Sequence, residues 1–404
     1  MNQLTPPEIV ANIQASYGFL ASDRTDLPTR HRSARSIFEN AWQLLDEDEK
    51  RALPQLSVFR GGFTLEAARR VVGASLPALN ALTDKSLLQR SPLSGRFEMP
   101  EILREFSEEK LAAMRMTHEI SAYARHAQYY MHYLGQRSAD LHGRRQLTAL
   151  NEIDQEIGNI RAAWRWSVPQ QANTTLINVA LDALYSFYQL RGRQREGAEV
   201  FDQATKMLRD ANTNDQFILA RLLARQGASY RFVGRLEEAR TLLQTAVSTI
   251  RRITSTSRTC LRLISIRASV PDSPSARPYW EESLALAERV NDLVLVAEAL
   301  NWLAFAHFQA GQIDAAVQKL ERSLAARRVL QDDHGLANTL ANLGFIYIHL
   351  GKYDRAQELL HEAVLIHQKH NNLHGQANIY TNLSYIALNQ KNYVEARARQ
   401  ESKL

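Results

Sequence analysis

Apolar and polar positions alternate with a helical period over most of this chain, and the pattern is cleanest at residues 338–364, NTLANLGFIYIHLGKYDRAQELLHEAV. Leu340, Leu343, Gly344 and Tyr347 stand three and four residues apart, so they share one helical face. After the turn Gly351-Lys352-Tyr353-Asp354, Ala356, Leu359, Leu360 and Ala363 form the apolar face of a second helix. Neither stripe can be buried within its own pair, so the unit needs neighbours. Leu303-Ala304, Gly311, Ala316 and Leu320 repeat the pattern upstream, and Asn382-Leu383-Ser384, Tyr393 and Ala396 repeat it downstream, each at a period of 40. Small residues recurring where helices touch mark a helical solenoid.

The pattern resembles the tetratricopeptide repeat (TPR) in a form longer than the usual 34 residues. The resemblance implies a module that binds other proteins and carries no reactive group. With the interhelix turn glycine as marker, Gly192, Gly234, Gly311 and Gly351 are followed five residues later by Gly197, Ala239, Ala316 and Ala356. About six such repeats are expected over residues 176–404. The array is degenerate around 250–278, where ITSTSRTCLRLISIRASVPDSPS has Pro271 in place of a turn glycine. This stretch reads as a degenerate repeat or a short reading-frame slip, with a functional insertion as the third reading. Regular periodicity returns with Ala276, Trp280 and Ser283.

The N-terminal third has a different rhythm. Residues 1–34 hold LTPPEIVANIQASYGFL and a polar loop. A helix is expected from about Ala34 to Leu45, with Ile37, Phe38, Ala41 and Trp42 on one face. Asp46–Glu49 opens the next helix, suited to its dipole. Gly61-Gly62 ends it, and Thr64 caps a third. After a short helix at Leu76–Lys85, two strands at Leu87–Arg90 and Arg96–Met99 flank the turn Ser91–Gly95, and a helix from Pro100 to about Met114 closes the unit. Three short helices and a hairpin predict a winged helix over 35–115, with a helical linker over 116–175. The aromatic residues of that linker, Tyr129, Tyr130, Tyr133, Trp164 and Trp166, read as core.

The segments PTRHRSARSIFENAWQLL, LSVFRGGFTLEAARRVVG, LNALTDKSLLQR and FEMPEILREFSEEKL, in this order, resemble bacterial STAND-type regulators. These are NB-ARC-like signalling ATPases in which a nucleotide domain leads into a winged helix and then TPR repeats. The likeness continues through RHAQYYMHYL and EIGNIRAAWRW. It departs at the nucleotide site: no GxxxxGK[ST] loop occurs anywhere in the chain. Residues 1–34 are therefore expected to be the last helix of a nucleotide domain whose active site lies upstream of Met1. At the other end, ARARQESKL stops inside the second helix of a repeat, which reads as truncation. The expected architecture is all-α, a small winged-helix domain followed by a TPR-like α-solenoid.

Composition adds little to this picture: 45% of residues are hydrophobic and 23% charged, as in ordinary globular proteins. The single cysteine, Cys260, rules out an internal disulfide and fits a reducing, cytoplasmic setting. The net charge of +6 raises the question of nucleic acid, but six arginines against Asp272 in residues 251–278 account for +5 of it. The helix that would enter a major groove, Leu76–Lys85, offers only Asn80 and Lys85 to base edges. A nucleic-acid partner and a membrane are not expected. His361, His367, His370 and His374 fall close together, but no HExxH pattern accompanies them, and they read as a solvated edge. No catalytic, cofactor or metal site is expected.

In a TPR array the first helix of each pair lines the concave groove. Two and six residues before the close-contact positions Ala304, Gly344 and Ser384 stand Trp302 and Glu298, Asn342 and Asn338, Asn382 and Asn378. The four asparagines form a ladder of amides that can pair with a peptide backbone, and Trp302 supplies an apolar anchor. The alternative is that the amides merely solvate the groove or tie helices together. The function expected is a non-enzymatic protein- or peptide-binding arm of a STAND-type regulator, with self-association through the repeats also open. Two other readings stay open: a DNA-binding transcriptional regulator acting through the winged helix, and the C-terminal fragment of an ATPase.

Overall fold

A computed structural model describes residues 29–114, 121–170, 174–210, 215–253 and 276–401. The expected N-terminal helix and most of the irregular 250–278 stretch lie outside these residues. The chain divides into two compact units, one of residues 1–130 with 156–166, the other of 131–155 with 167–404. Among the described residues no helix is long and apolar enough to cross a membrane.

The first unit opens with α1 (Thr29–Gln43) and α2 (Glu47–Leu56). Asp46 and Glu49 close a reciprocal capping box at the start of α2, each side chain taking the other residue's backbone N–H at 2.8 Å. Thr64 caps α3 (Leu65–Val72), which ends on Gly73 in the left-handed conformation. Ser75 caps α4 (Leu76–Asp84). Strands β1 (Gln89–Arg90) and β2 (Phe97–Glu98) pair antiparallel, with Gln89 opposite Glu98, and α5 (Glu101–Ala113) follows. The element order is the one read from the sequence, with β1 two residues shorter at its outer end and β2 one residue shorter at each end. Phe63 pairs with Phe97 through the backbone and stacks on Phe59 at 4.5 Å. Phe38 and Trp42 of α1 meet Phe106 of α5.

Helices α6 (Ala122–Gln136) and α7 (Gln146–Ser167) follow, with a short 3₁₀ turn at Asp140–His142 between them. Tyr130 and Trp164 are buried as expected, whereas Tyr129, Tyr133 and Trp166 are only half-buried.

The second unit is a run of helix pairs: α8 (Thr174–Leu190) with α9 (Gln194–Asp210), and α10 (Gln216–Phe232) with α11 (Leu236–Ile253). After α12 (Ala276–Arg289) come α13 (Leu293–Gln309) with α14 (Ile313–Leu330), α15 (Asp333–His349) with α16 (Tyr353–Lys369), and α17 (Leu373–Asn389) with α18 (Tyr393–Glu401). Two turns recur. Within a pair, Gly192, Gly234, Gly311 and Gly351 take φ between +68° and +81°, and Lys391 stands in the same place at +60°. Between pairs, Asn291, Gln331 and Asn371 take left-handed conformations, and the next residue, Asp292, Asp332 or Asn372, caps the following helix. Asparagine tolerates this conformation better than most residues, which explains two of the three.

The solenoid core is the stripe predicted for it. Leu340, Leu343, Ala356, Leu360 and Ala363 are all buried with Ala316 and Leu320 of the preceding pair. Gly344 is the point of closest approach: a methyl group there would lie 3.0 Å from Leu360 Cγ and 3.5 Å from the Ala356 carbonyl. A larger side chain must push α15 and α16 apart, and overpacking of this kind costs about 1–3 kcal/mol. Gly344→Leu is therefore expected to lower the denaturant midpoint, while Glu362→Leu on the exposed face of α16 leaves it in place. Equal midpoints for the two variants would refute the helical phase.

Candidate binding groove

The second unit contains a concavity of about 760 Å³ walled by the first helices of successive pairs. Helix periodicity puts residues at i, i+4 and i+8 on one face. On α13 these are Val294, Glu298 and Trp302; on α15, His334, Asn338 and Asn342; on α17, Asn378 and Asn382. All of these line the concavity. The structure therefore gathers the six positions singled out in the sequence, Glu298, Trp302, Asn338, Asn342, Asn378 and Asn382, along one surface.

The amides differ in how committed they are. Asn342 Nδ2 donates to Asn301 Oδ1 at 2.9 Å, and Asn301 Nδ2 in turn lies 3.4 Å from Thr339 Oγ1. That rung ties α15 to α13. Among the described residues, Asn378 reaches only His374 of its own helix, at 3.4 Å. Among the described residues, no side-chain hydrogen bond engages Asn338 or Asn382. Asn338 and Asn378 are exposed and Asn382 is half-buried, so three of the four amides remain open to a partner in the groove.

One end of the groove is aromatic and cationic. Trp302 stacks on Trp280 of α12, with centroids 5.4 Å apart and planes 11° from parallel. The Arg231 guanidinium sits 5.3 Å from the Trp302 ring centre. Trp302 is thus half of a fixed stack rather than a free side chain. Burial pulls the pKa of Arg231 down, with Tyr185 and Glu298 acting in the opposite sense. Arg225 lies 4.7 Å from the ring centre of Tyr185 and pairs with Asp182 at 2.7 Å. Sequence analysis missed Tyr185, Arg225 and Arg231, because the 40-residue phase does not extend upstream of α12 unbroken.

The floor is a buried polar network. Arg327 and Asp332 form an ion pair with side chains 7% and 2% exposed. Gln146 of α7 donates to Asp332 Oδ1 at 3.1 Å and accepts the His334 backbone N–H at 3.0 Å. Against burial, which would raise it, Arg327 and His142 hold the Asp332 carboxyl below its ordinary pKa. One repeat later His367 takes the place of Arg327 and Asn372 that of Asp332, with 3.2 Å between Nδ1 and Nδ2. Gly335 and Gly375 make this possible. A methyl group on either would lie 2.4–2.7 Å from the Asp332 and Arg327 side chains or from the His367 ring.

This corrects the reading of the histidines at 361–374 as a solvated edge. His361 and His374 are exposed, but His367 and His370 are 2% and 5% exposed. The signal for His367 was Gly375 in the first turn of the next helix, which leaves room for the ring beneath it. Burial lowers the pKa of His334 to about 3, helped by His367, and that of His367 to about 4, helped by His370 and His374. Both are neutral at physiological pH. Among the described residues, no group of three or more His, Cys, Asp or Glu side chains is placed to hold a metal ion. The arrangement can offer hydrogen bonds and aromatic surface.

Two tetratricopeptide repeat models match the chain, one over residues 296–335 and one over 335–402. Three mycobacterial proteins named as HTH-type transcriptional regulators, from Mycobacterium bovis and two strains of Mycobacterium tuberculosis, are each 25% identical over 320 residues. The match takes in 75% of this chain and 35% of theirs, so the chain spans about a third of the length of the curated relatives it matches. Among solved structures, a STAND (Signal Transduction ATPase with Numerous Domains) protein with a tetratricopeptide repeat sensor, from Pyrococcus horikoshii, aligns with a TM-score of 0.50 at 16% identity. That alignment covers 98% of this chain and 62% of the other. NprR in complex with its cognate peptide NprX aligns with a TM-score of 0.53 at 14% identity, over 74% of this chain and 83% of that one. At these identities the likeness is one of fold: a nearly all-helical chain with TPR-like solenoid repeats.

Proposed function

We propose that this chain is a non-enzymatic sensor or scaffold arm of a STAND-type regulator, and that its array holds a protein or peptide in the groove of the second unit. The observation that carries the reading is the row of amides. Asn338, Asn378 and Asn382 stand open along a concave surface, each offering two donors and an acceptor. An extended peptide exposes backbone N–H and C=O groups along its length, and such a row can pair with them whatever the side chains. Local stability does not explain four asparagines, since the residue is a mediocre helix former. The structure of NprR with its peptide supports the reading as an analogy of fold.

In this proposal residues 35–115 are the winged helix, 116–175 the helical linker and 176–404 the array. The regulator reading draws support from the names of the mycobacterial relatives. Direct DNA binding through α4 is the weaker form of it. The exposed residues of that helix are Pro77, Asn80 and Asp84, and the adjacent Lys85 is committed to the buried Glu49 at 2.5 Å.

The test is selection of binders from a random octapeptide display library. Asn338→Ala with Asn382→Ala is expected to leave the helical circular dichroism intact and to weaken capture of the selected peptides at least tenfold. Neither side chain is tied to another helix, so the pair separates binding from folding, which Asn342→Ala would not. Selection of no peptide, or equal capture by the variant, would overturn the groove reading.

A further inference from the structure

Three residues beyond the amide row, one helical turn along the same face, stands a second row with the same period: Phe305, Phe345 and Tyr385. Phe305 and Tyr385 are 48% and 54% exposed, a costly setting for large rings. Solenoid packing does not ask for them, because the neighbouring helices are met by Leu303, Leu343 and Leu383 instead, all buried. Phe345 is held in place by Phe308 and His349, with ring centres 5.6 and 4.3 Å away. Phe305 and Phe345 line the groove.

We infer that the groove takes an uncharged, extended peptide and reads it through apolar side chains that recur at every third residue. The inference rests on the peptide-binding reading above and adds its specificity. Charge complementarity argues for a neutral occupant. No residue of α17 that lines the groove is charged, and on α15 the middle of the lining, Asn338 to Phe345, is equally free of charge. The arginines deeper in the groove are already engaged, Arg327 by Asp332 and Arg225 by Asp182. A charged ligand side chain would lose hydration over the α15 and α17 lining and find no counter-ion there, since Arg231 and Glu298 lie at the other end, beside Trp302.

The spacing follows from the repeat. Packed neighbouring helices lie about 8–10 Å apart, and the Asn342–Asn301 bond shows that α13 and α15 are within side-chain reach. A peptide in the polyproline II conformation rises about 3.1 Å per residue with three residues per turn, so it returns a side chain to the same face every 9 Å or so. In a β-strand, side chains return to one face about every 6.6 Å, which falls out of step with the rings within two repeats.

The same octapeptide selection decides this, read now for composition. Selected sequences are expected to carry Phe, Leu, Ile, Met or Trp at positions i and i+3, and to be depleted in Asp, Glu, Lys and Arg. Phe305→Ser with Tyr385→Ser alters two exposed side chains, so the fold is expected to persist by circular dichroism while the three-residue preference disappears and affinity falls about tenfold. Selected peptides that are acidic or basic, or whose apolar residues recur every second position, would overturn the inference and leave the groove reading standing. The same holds if the doubly substituted chain selects the same sequences. Concentration-dependent dimerisation abolished by the two substitutions would assign the row to a second copy of the chain instead. Selection of no peptide at all would remove both readings.

Discussion

Asn159→Leu is expected to destabilise the first unit by about 2–4 kcal/mol. Asn159 is fully buried on α7 and uses its amide at both ends. Its Oδ1 accepts the Arg60 backbone N–H at 2.6 Å, and its Nδ2 donates to the Gly62 carbonyl at 2.8 Å and to Glu156 at 2.9 Å. The chain needs such a clamp here. Gly61 and Gly62, at φ of +79° and +84°, end the segment after α2, and no helix or sheet supplies partners for the groups they leave behind. Leucine keeps the branching of the side chain and offers no hydrogen bond in return. The Arg60 N–H then loses its partner, the Gly62 carbonyl keeps only Arg96 Nη2 at 3.0 Å, and His126 Nε2 loses its bond as well. A buried group left unpaired costs roughly 1–3 kcal/mol. Gly158, next to it, confirms how close the loop comes: a methyl group there would lie 2.7 Å from the Arg60 carbonyl. Urea unfolding followed by tryptophan fluorescence would report the loss. A change below 1 kcal/mol would mean that the loop finds other partners and that the clamp is not structural.

How far the sequence reveals this molecule depends on whether a feature repeats. The helix pairs of residues 293–401 were legible because small residues, turn glycines and leucines recur every 40 positions and each copy checks the others. The amide positions were legible for the same reason, whereas the aromatic row beside them, which has the same period, was not read. The caps of the first unit were legible from local chemistry, Asp46 with Glu49 and Thr64. What could not be read depends on pairs distant in sequence. Gln146 meets Asp332 and Asn159 meets Arg60 across 186 and 99 residues, and no local pattern announces either. The buried histidines were misread for a related reason: a polar side chain near a helix end is usually solvated, and only the glycine eight residues later shows that His367 has a place beneath the next helix.

Acid is expected to destabilise the chain well before its carboxylates are protonated. His126 is 2% exposed, packed against Phe59 and Tyr130, with Nε2 3.3 Å from Asn159 Oδ1. Burial pushes its pKa down to about 4, the hydrogen bond to Asn159 restoring only part of the loss and Arg60 adding to it. An unfolded histidine titrates near 6.5. Between these values the unfolded chain binds a proton that the folded chain refuses, so stability rises with pH. The contribution is fully present above pH 6.5 and is lost as the pH falls from there to about 4, a loss of about 3 kcal/mol for His126 at 1.36 kcal/mol per pH unit. His367, equally buried and also lowered to about 4, loses a similar amount over the same window. Asp332 and Asp333 belong to a different range. Their pKa values are depressed in the folded chain, so what they contribute is kept above the ordinary carboxylate pKa and fades only below it. Urea midpoints measured at intervals from pH 7.5 to 4.5 should therefore decline steadily, and His126→Gln, which keeps a hydrogen-bonding group for Asn159, should remove about 2–3 kcal/mol of that decline. A wild-type profile that stays flat to pH 4.5, or a variant with an unchanged slope, would show that these rings are not held neutral by burial.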